Sequence, residues 1–195
     1  MEKKLPDLIA QIRAAHPDVP HWDLWTMDEH RIGLKPIVRR IWARSGERPI
    51  ITVQQRYQWR YVYGFVCPQR GETFWLILPT VTVEVFSQAL AELAQFLGLG
   101  PDKHLILVLD QAGWHTSDRV AVPEGIHLLF QPAYSPELQP AERLWEVTDE
   151  VLANVHFETI EDLVNAQEDQ CATIHHTRQE DMRSRTLYHW WPLLA

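Results

Sequence analysis

Three acidic residues, Asp28, Asp110 and Glu142, are spaced along the chain as a metal-dependent nuclease would need them. Asp28 follows residues 24–27 and Asp110 follows residues 105–109, so two of the three come where a buried strand is expected to end. A carboxylate at such a place is costly unless something pairs with it. A divalent metal ion is a natural partner, and two ions held by three carboxylates can cut phosphodiester bonds.

The segment after Asp110 adds a turn and an imidazole. Gly113 favours a turn, and His115 lies five residues beyond Asp110. One interpretation is a metal ligand with a helper imidazole nearby. The other is an aspartate that caps the next turn, as aspartate often does. This segment alone does not decide between the two.

Glu142 is expected in the first turn of a helix that begins at Pro140. The helix dipole favours an ionised carboxylate there, ready to bind a cation. However, Glu146 and Asp149 are predicted on the same helical face, and this segment alone therefore favours a solvated acidic stripe. Glu137 is a rival ligand in the preceding loop.

The first acidic position holds two candidates, Asp28 and Glu29. Successive side chains of a strand point to opposite faces, so only one of them can enter a shared site. A polar strand end that starts a turn is the alternative interpretation. Nothing in this segment decides which acid is the ligand.

Composition indicates an ordinary globular chain. Its 195 residues predict one domain, with 46% apolar and 23% charged residues. Most of the nine tryptophans are expected in the core. Cys67 and Cys171 match no zinc pattern and suggest reduced thiols. No apolar run is long enough to span a membrane, and the start lacks a signal peptide, so we expect a cytoplasmic protein.

The charge balance argues against strong DNA binding by this chain alone. Eighteen Lys and Arg face 26 Asp and Glu, which gives a net charge of −8. Proteins that hold DNA through its phosphates are usually basic. Either the nucleic-acid interpretation is wrong, or the module that grips DNA lies elsewhere.

Hydrophobic periodicity and turn residues predict the elements that would position these acids. We expect helices over residues 5–15, 83–97, 140–153 and 159–175, and strands over 23–28, 39–42, 50–54, 59–67, 73–78, 104–109 and 126–130. Thr82 is the expected N-cap of the second helix. Leu187, Trp190, Trp191 and Leu193 are expected to dock the tail. This order predicts a mixed α/β sheet and is compatible with a ribonuclease-H-like fold.

Three segments, residues 27–34, 107–115 and 134–145, resemble the signature blocks of DDE transposases. The best match is the bacterial insertion-sequence group allied to mariner elements. The third block is the most specific, because Tyr134-Ser135-Pro136 precedes a Pro-x-Glu-x-x-Trp pattern that ends at Trp145. The resemblance covers about residues 23–155.

The resemblance implies a ribonuclease-H-like core with a mixed five-stranded sheet flanked by helices. It assigns the acidic triad and metal ligands to Asp28, Asp110 and Glu142, which would hold two Mg²⁺ or Mn²⁺ ions. The implied activity is DNA cleavage at element ends, followed by transfer of the 3′-OH to target DNA, often at TA. We expect an N-terminal helix and linker over residues 1–22, the catalytic domain over 23–155, and a helical extension over 156–195.

Basic residues are dense near the first acid. We expect DNA contacts from Arg31, Lys35, Arg39, Arg40, Arg44, Arg48 and Arg56, although a solvated rim fits equally well. His115 is a candidate catalytic helper that orients a phosphate or nucleophile, or else a structural turn residue.

The family carries a helix-turn-helix DNA-binding region, for which there is no room before Asp28. We therefore expect that part to come from a separate or fused reading frame. A homodimer is a candidate assembly, and a nucleoid location in the cytoplasm follows from the DNA partner.

Two departures from the family pattern bear on the site. Thirty-one residues separate Asp110 and Glu142, a few fewer than usual, and Gln111 and Gln139 stand where Asn is often found. Two alternatives to a transposase stay open. One is a non-transposing nuclease of the same fold, and the other is a catalytically inactive remnant that acts as a dimerisation or regulatory module.

Overall fold

The chain forms a five-stranded mixed sheet with helices on both faces. The computed structural model describes residues 4–35, 37–40, 42–46, 50, 56–133 and 135–194. The strand order is β3-β2-β1-β4-β5, with β1 antiparallel to β2 and parallel to β4. The strands are β1 His21–Gly33, β2 Trp59–Cys67, β3 Glu72–Leu78, β4 Lys103–Leu109 and β5 Ile126–Phe130. The predicted five-stranded mixed sheet is confirmed.

The central strand β1 changes partners along its length. Its first half pairs with β4, up to Thr26 opposite Val108, and its second half pairs with β2 as far as Gly33. The prediction of a strand that ends at Asp28 was therefore wrong at its C-terminal end. The strand continues because β2 supplies hydrogen-bond partners after β4 has stopped. Asp28 lies in β1 where the β4 partner is lost.

One face of the sheet is covered by helix α2, Val83–Leu97. Its apolar stripe of Phe86, Ala89, Leu90 and Leu93 is buried against β1, β2 and β4. The Thr82 hydroxyl accepts a hydrogen bond from Val85 N, as an N-cap does. The predicted boundaries and cap are confirmed, because both depend on local sequence.

The opposite face is covered by the remaining helices and the C-terminal tail. Helix α1 spans Leu5–Ala15, α4 spans Ile160–Thr177 and α5 spans Gln179–Thr186. Thr159 and Asp162 form the predicted capping box. Trp191 is buried in the core beside α1, as expected for a docked tail, but Leu193 is 65% exposed, so its predicted docking was wrong.

The single helix predicted over residues 140–153 was wrong. The structure has a 3₁₀ turn Pro140–Leu144, one α-helical turn Trp145–Thr148 and another 3₁₀ turn Asp149–Val151. The helical pattern is present, since Ala141, Leu144, Trp145 and Thr148 are buried and Glu142 and Glu146 are exposed. That pattern does not distinguish one α-helix from a series of 3₁₀ and α-helical turns.

Two other predicted strands have different outcomes. Residues 39, 40 and 42 lie in a loop, so the strand predicted over 39–42 was wrong for those residues. The strand predicted over 50–54 falls almost entirely outside the described residues. In the described part of the chain, no helix is long and apolar enough to cross a membrane.

A cluster of imidazoles joins α1 to the β4–β5 side of the sheet. The ring centroids of His16 and His127 are 4.6 Å apart, and those of His104 and His127 are 5.0 Å apart. Burial, together with the two neighbouring imidazoles, lowers the pKa of His127 to about 4. His127 is therefore neutral near pH 7.

Candidate active site

The three predicted acids line one cleft of about 380 Å³ at the carboxyl edge of the parallel strands. The parallel pairing of β1 with β4 ends at Thr26 and Val108, two residues before Asp28 and Asp110 respectively. Both acids therefore follow the last paired residues of neighbouring strands, and both line the cleft. Glu142 approaches from the 3₁₀ turn after the third block. Sheet topology thus gathers acids that are far apart in sequence.

Asp110 is held through one of its two carboxylate oxygens. Its Oδ1 accepts hydrogen bonds from His115 Nδ1 at 2.7 Å and from Ala112 N at 3.0 Å. The bond from His115, and then the backbone bond, hold the pKa of Asp110 below its usual range. The Asp110 side chain is 55% exposed. It therefore presents an ionised, oriented carboxylate.

Asp28 has the opposite electrostatic character. Burial, together with the charges of Glu142 and Glu29, raises its pKa to about 7, even though Trp145 Nε1 donates a 3.0 Å hydrogen bond to its Oδ2. The effect of Glu142 on Asp28 indicates that these carboxylates are close. Without a cation, this end of the cleft holds more negative charge than the fold readily accommodates.

Gly64 leaves room for the indole of Trp145, which contacts Asp28. A Cβ at Gly64, directly opposite Asp28 on β2, would lie 2.8 Å from Trp145 and 2.9 Å from Trp75. The absence of a side chain therefore lets the indole approach the strand. His30 stacks on Trp145 with 4.9 Å between ring centroids. The contact between Gly64 and Trp145 was not predicted from the sequence, because a single glycine in a strand does not show which side chain packs against it.

Glu142 is exposed, whereas its neighbours Ala141 and Leu144 are buried. The expected acidic stripe does not form. Asp149 is 7% exposed and pairs with His30 at 3.0 Å, whereas Glu146 remains exposed. The rival Glu137 is also exposed and does not line the cleft.

Glu29 points to the other face of β1, as alternation requires. Its Oε1 lies 2.9 Å from His115 Nε2 and 3.1 Å from Trp114 Nε1. Asp28, and not Glu29, lines the cleft. His115 is 2% exposed and lies behind Asp110, so its ring does not face the cleft where a phosphate would lie.

Side-chain amides support the floor of the cleft. Gln139 Nε2 donates to Met27 O at 2.8 Å, and its Oε1 accepts from the Thr26 hydroxyl. Gln131 donates to Gln139 Oε1 at 3.2 Å, and Gln111 donates to Gln131 O at 2.6 Å. Sequence reasoning noted the first and last of these glutamines but missed Gln131, whose only signal is its position after β5.

The donors in the cleft suit a hard divalent cation. Mg²⁺ and Mn²⁺ prefer oxygen ligands, and the cleft supplies carboxylates and amide oxygens. In the described ranges, no three His, Cys, Asp or Glu side chains already stand in position to hold a metal ion together.

The described basic residues that were expected to contact DNA do not line the acidic cleft. Arg31 lies over the ring of Trp59, 5.6 Å from its centroid, and lines a second cavity of about 420 Å³ with Lys35. Arg39 binds the Glu146 carbonyl at 3.1 Å. Arg40 and Arg44 are exposed, and Arg48 lies outside the described residues. Among described residues, none that lines the acidic cleft is basic.

Comparison with known proteins identifies a family. A family model described as a DDE superfamily endonuclease matches residues 23–164. An uncharacterized protein, y4pE/y4sA of Sinorhizobium fredii, is 40% identical over 107 residues, which cover 54% of this chain and 78% of that protein.

Solved structures share the fold at low sequence identity. The Mos1 mariner paired end complex with Mn has a TM-score of 0.62 at 16% identity, over 94% of this chain and 58% of that one. The catalytic domain of Mos1 mariner transposase has a TM-score of 0.53 at 15% identity, over 96% and 93%. A simian T-cell lymphotropic virus intasome gives 0.54 at 14% identity, over 82% and 50%.

These likenesses confirm the ribonuclease-H-like fold class that the sequence predicted. The chain spans about three fifths of the length of the Mos1 chain in the paired end complex.

Proposed function

Because this chain belongs to the DDE superfamily of endonucleases, we propose that it is a transposase catalytic subunit that cuts DNA at element ends and joins the freed 3′-OH to target DNA. One observation carries the proposal. Asp28, Asp110 and Glu142 line one cleft although 81 and 31 residues separate them in sequence. Carboxylates gathered at a cleft are costly unless the site binds a cation.

In this proposal Asp28, Asp110 and Glu142 would hold two Mg²⁺ or Mn²⁺ ions. When bound, such ions neutralise charge on the reacting phosphate and activate the nucleophile. Asp110 suits this role because it is already ionised and one of its oxygens is fixed. Burial, and then the charges of Glu142 and Glu29, raise the pKa of Asp28 to about 7, so a bound cation would favour its ionised form. Metal loading and deprotonation of Asp28 are therefore coupled.

In this proposal DNA would be guided by basic residues outside the cleft, namely Arg31, Lys35, Arg39, Arg40 and Arg44. The net charge of −8 gives this chain little general affinity for DNA. We therefore propose that a helix-turn-helix part, on a separate or fused reading frame, supplies most of the affinity for DNA and recognises the element ends. A homodimer would bring two ends together.

The proposal is tested with an oligonucleotide duplex that carries a free 3′-OH, a supercoiled plasmid target and Mn²⁺. We expect joined products from the wild type, and none from Asp28→Asn, Asp110→Asn or Glu142→Gln. The matched control is Glu137→Gln, an exposed acid of the same stretch outside the cleft, which should leave joining intact. Plasmid nicking without joining would favour a non-transposing nuclease. Neither reaction, together with no Mn²⁺ binding, would favour an inactive regulatory module.

A further inference from the structure

Glu29 is a buried carboxylate that faces away from the cleft. Its side chain is 6% exposed, and it lies on the α2 side of β1. A buried charge is costly unless it is paired, and its removal from water must be offset by specific contacts. Its hydrogen-bond partners among the described side chains are Trp114 and His115, which both come from the loop that begins with Asp110. Glu29 thus ties the central strand to the loop of the second acid.

A single imidazole bridges the two carboxylates. His115 Nε2 lies 2.9 Å from Glu29 Oε1, and His115 Nδ1 lies 2.7 Å from Asp110 Oδ1. An ionised carboxylate oxygen can only accept, so each ring nitrogen that bonds to one serves as a donor. Trp114 Nε1 lies 3.0 Å from His115 Nε2, and both of these N–H groups are within hydrogen-bond distance of the same acceptor, Glu29 Oε1. Charge-assisted bonds of this kind are short and directional. The orientation of Asp110 is therefore linked to the position of Glu29.

The ring between them has little freedom to move. Its centroid lies 4.5 Å from that of Phe86 on α2, and the ring is 1% exposed at the side chain. Both bonds to Asp110 end on Oδ1, while Asp110 lines the cleft. In the described part of the chain, no hydrogen bond to Oδ2 competes with a ligand. The arrangement holds one oxygen and leaves the other for the cleft.

We propose that Glu29 is a positioning residue that acts through His115 to orient the Asp110 carboxylate for metal binding. The inference rests on the proposed function, since it assigns Asp110 as a ligand. The inference gives both consecutive acids of β1 a role. Asp28 lines the cleft, whereas Glu29, on the opposite face of the strand, bonds to His115, which in turn bonds to Asp110. Groups that orient a metal ligand typically contribute about 10–100-fold to metal affinity.

The test measures Mn²⁺ affinity on folded protein, by the electron paramagnetic resonance signal of free Mn²⁺. We expect Glu29→Gln to raise the dissociation constant about tenfold or more. The matched control is Asp23→Asn, another buried acid of β1, which pairs with Arg70 at 2.8 Å at the far end of the strand. That variant should lose stability yet change Mn²⁺ affinity less than about twofold, since it lies away from the cleft.

A double-mutant cycle separates positioning from a general charge effect. If Glu29 acts through His115, Glu29→Gln should have little further effect in a His115→Gln background. A long-range loss of negative charge would instead weaken Mn²⁺ binding equally in both backgrounds. Equal effects would overturn the proposal. So would a Glu29→Gln variant that binds Mn²⁺ as the wild type does.

The outcomes distinguish this inference from the proposed function. If the wild type binds no Mn²⁺, or if Asp28→Asn binds it as well as the wild type, the proposed function fails. If those two behave as expected and Glu29→Gln matches Asp23→Asn, only the role of Glu29 fails. Should Glu29→Gln not fold, Glu29→Asp keeps the charge but is too short to reach the imidazole. It should weaken binding similarly, and unchanged affinity would contradict the proposal.

Discussion

Replacing Asp28 by Asn should make the metal-free protein more stable, although it removes a residue that we assign to the active site. Burial and the charges of Glu142 and Glu29 raise the pKa of Asp28 to about 7, from 3.8 in an unfolded chain. Above pH 7 the folded protein must keep an unfavourable charge at this position. Asparagine has nearly the same shape, carries no charge and can still accept the hydrogen bond from Trp145.

The magnitude follows from the two pKa values. A tenfold change in proton affinity is worth about 1.4 kcal/mol, so the difference amounts to at most about 4 kcal/mol above pH 7. Because Asp28 is partly exposed, relaxation and solvent screening reduce this, and we expect about 2 kcal/mol. The folded state binds the proton more tightly, so wild-type stability falls as pH rises from 3.8 to 7. The advantage of the variant should therefore shrink to about a third at pH 5 and vanish below pH 3.8.

Urea unfolding in EDTA at pH 8 and pH 5 measures this advantage. The control is Asp110→Asn, which should have the opposite sign. The bond from His115 lowers the pKa of Asp110, so its charge stabilises the fold, and its loss should cost about 1–2 kcal/mol at pH 8. An Asp28→Asn variant no more stable than the wild type at pH 8, or an advantage that does not depend on pH, would refute the electrostatic reasoning.

Three further predictions concern the supports of the site and the fold. Gly64→Ala should displace Trp145, cost about 1–3 kcal/mol in urea unfolding and change tryptophan fluorescence, whereas unchanged stability would mean that the indole can shift freely. Gln139→Leu should cost about 1–3 kcal/mol, because Met27 O loses its buried donor, and calorimetry should show a lower Tm. Since burial lowers the pKa of His127 to about 4, stability should fall by about 1–2 kcal/mol as pH drops from 6.5 to 4; His127→Phe should flatten this dependence.

Local elements of the fold were predictable because their signals are local. The bounds and N-cap of α2 depend on one apolar stripe and on Thr82. β4 and β5 are short segments rich in apolar residues. The mixed five-stranded sheet followed from the family resemblance. The capping box at Thr159 was also predictable from the sequence, because both of its hydrogen bonds join residues three positions apart.

Elements shaped by distant partners were misread. The C-terminal half of β1 depends on β2, which begins twenty-six residues after Gly33 in the sequence. The segment after Pro140 keeps a helical pattern of burial, but its division into 3₁₀ and α-helical turns was not predicted. Helix α5 was missed, since its sequence is strongly polar and only Met182 and Thr186 are buried. Propensity cannot report such tertiary contacts.

The choice between Asp28 and Glu29 shows the division most clearly. Alternation along a strand requires the two acids to face opposite ways, so the sequence alone determined that one of them would leave the cleft. Which one left was decided by packing: α2 covers one face and, together with the loop after β4, encloses Glu29 and His115, while Trp145 meets Asp28 on the other. The sequence also determined which residue types could bind a cation. The convergence of the three acids and the bridge through His115 depend on the order of the strands in the sheet. The raised pKa of Asp28 depends on burial and on nearby charges. Both conditions arise only when the chain has folded.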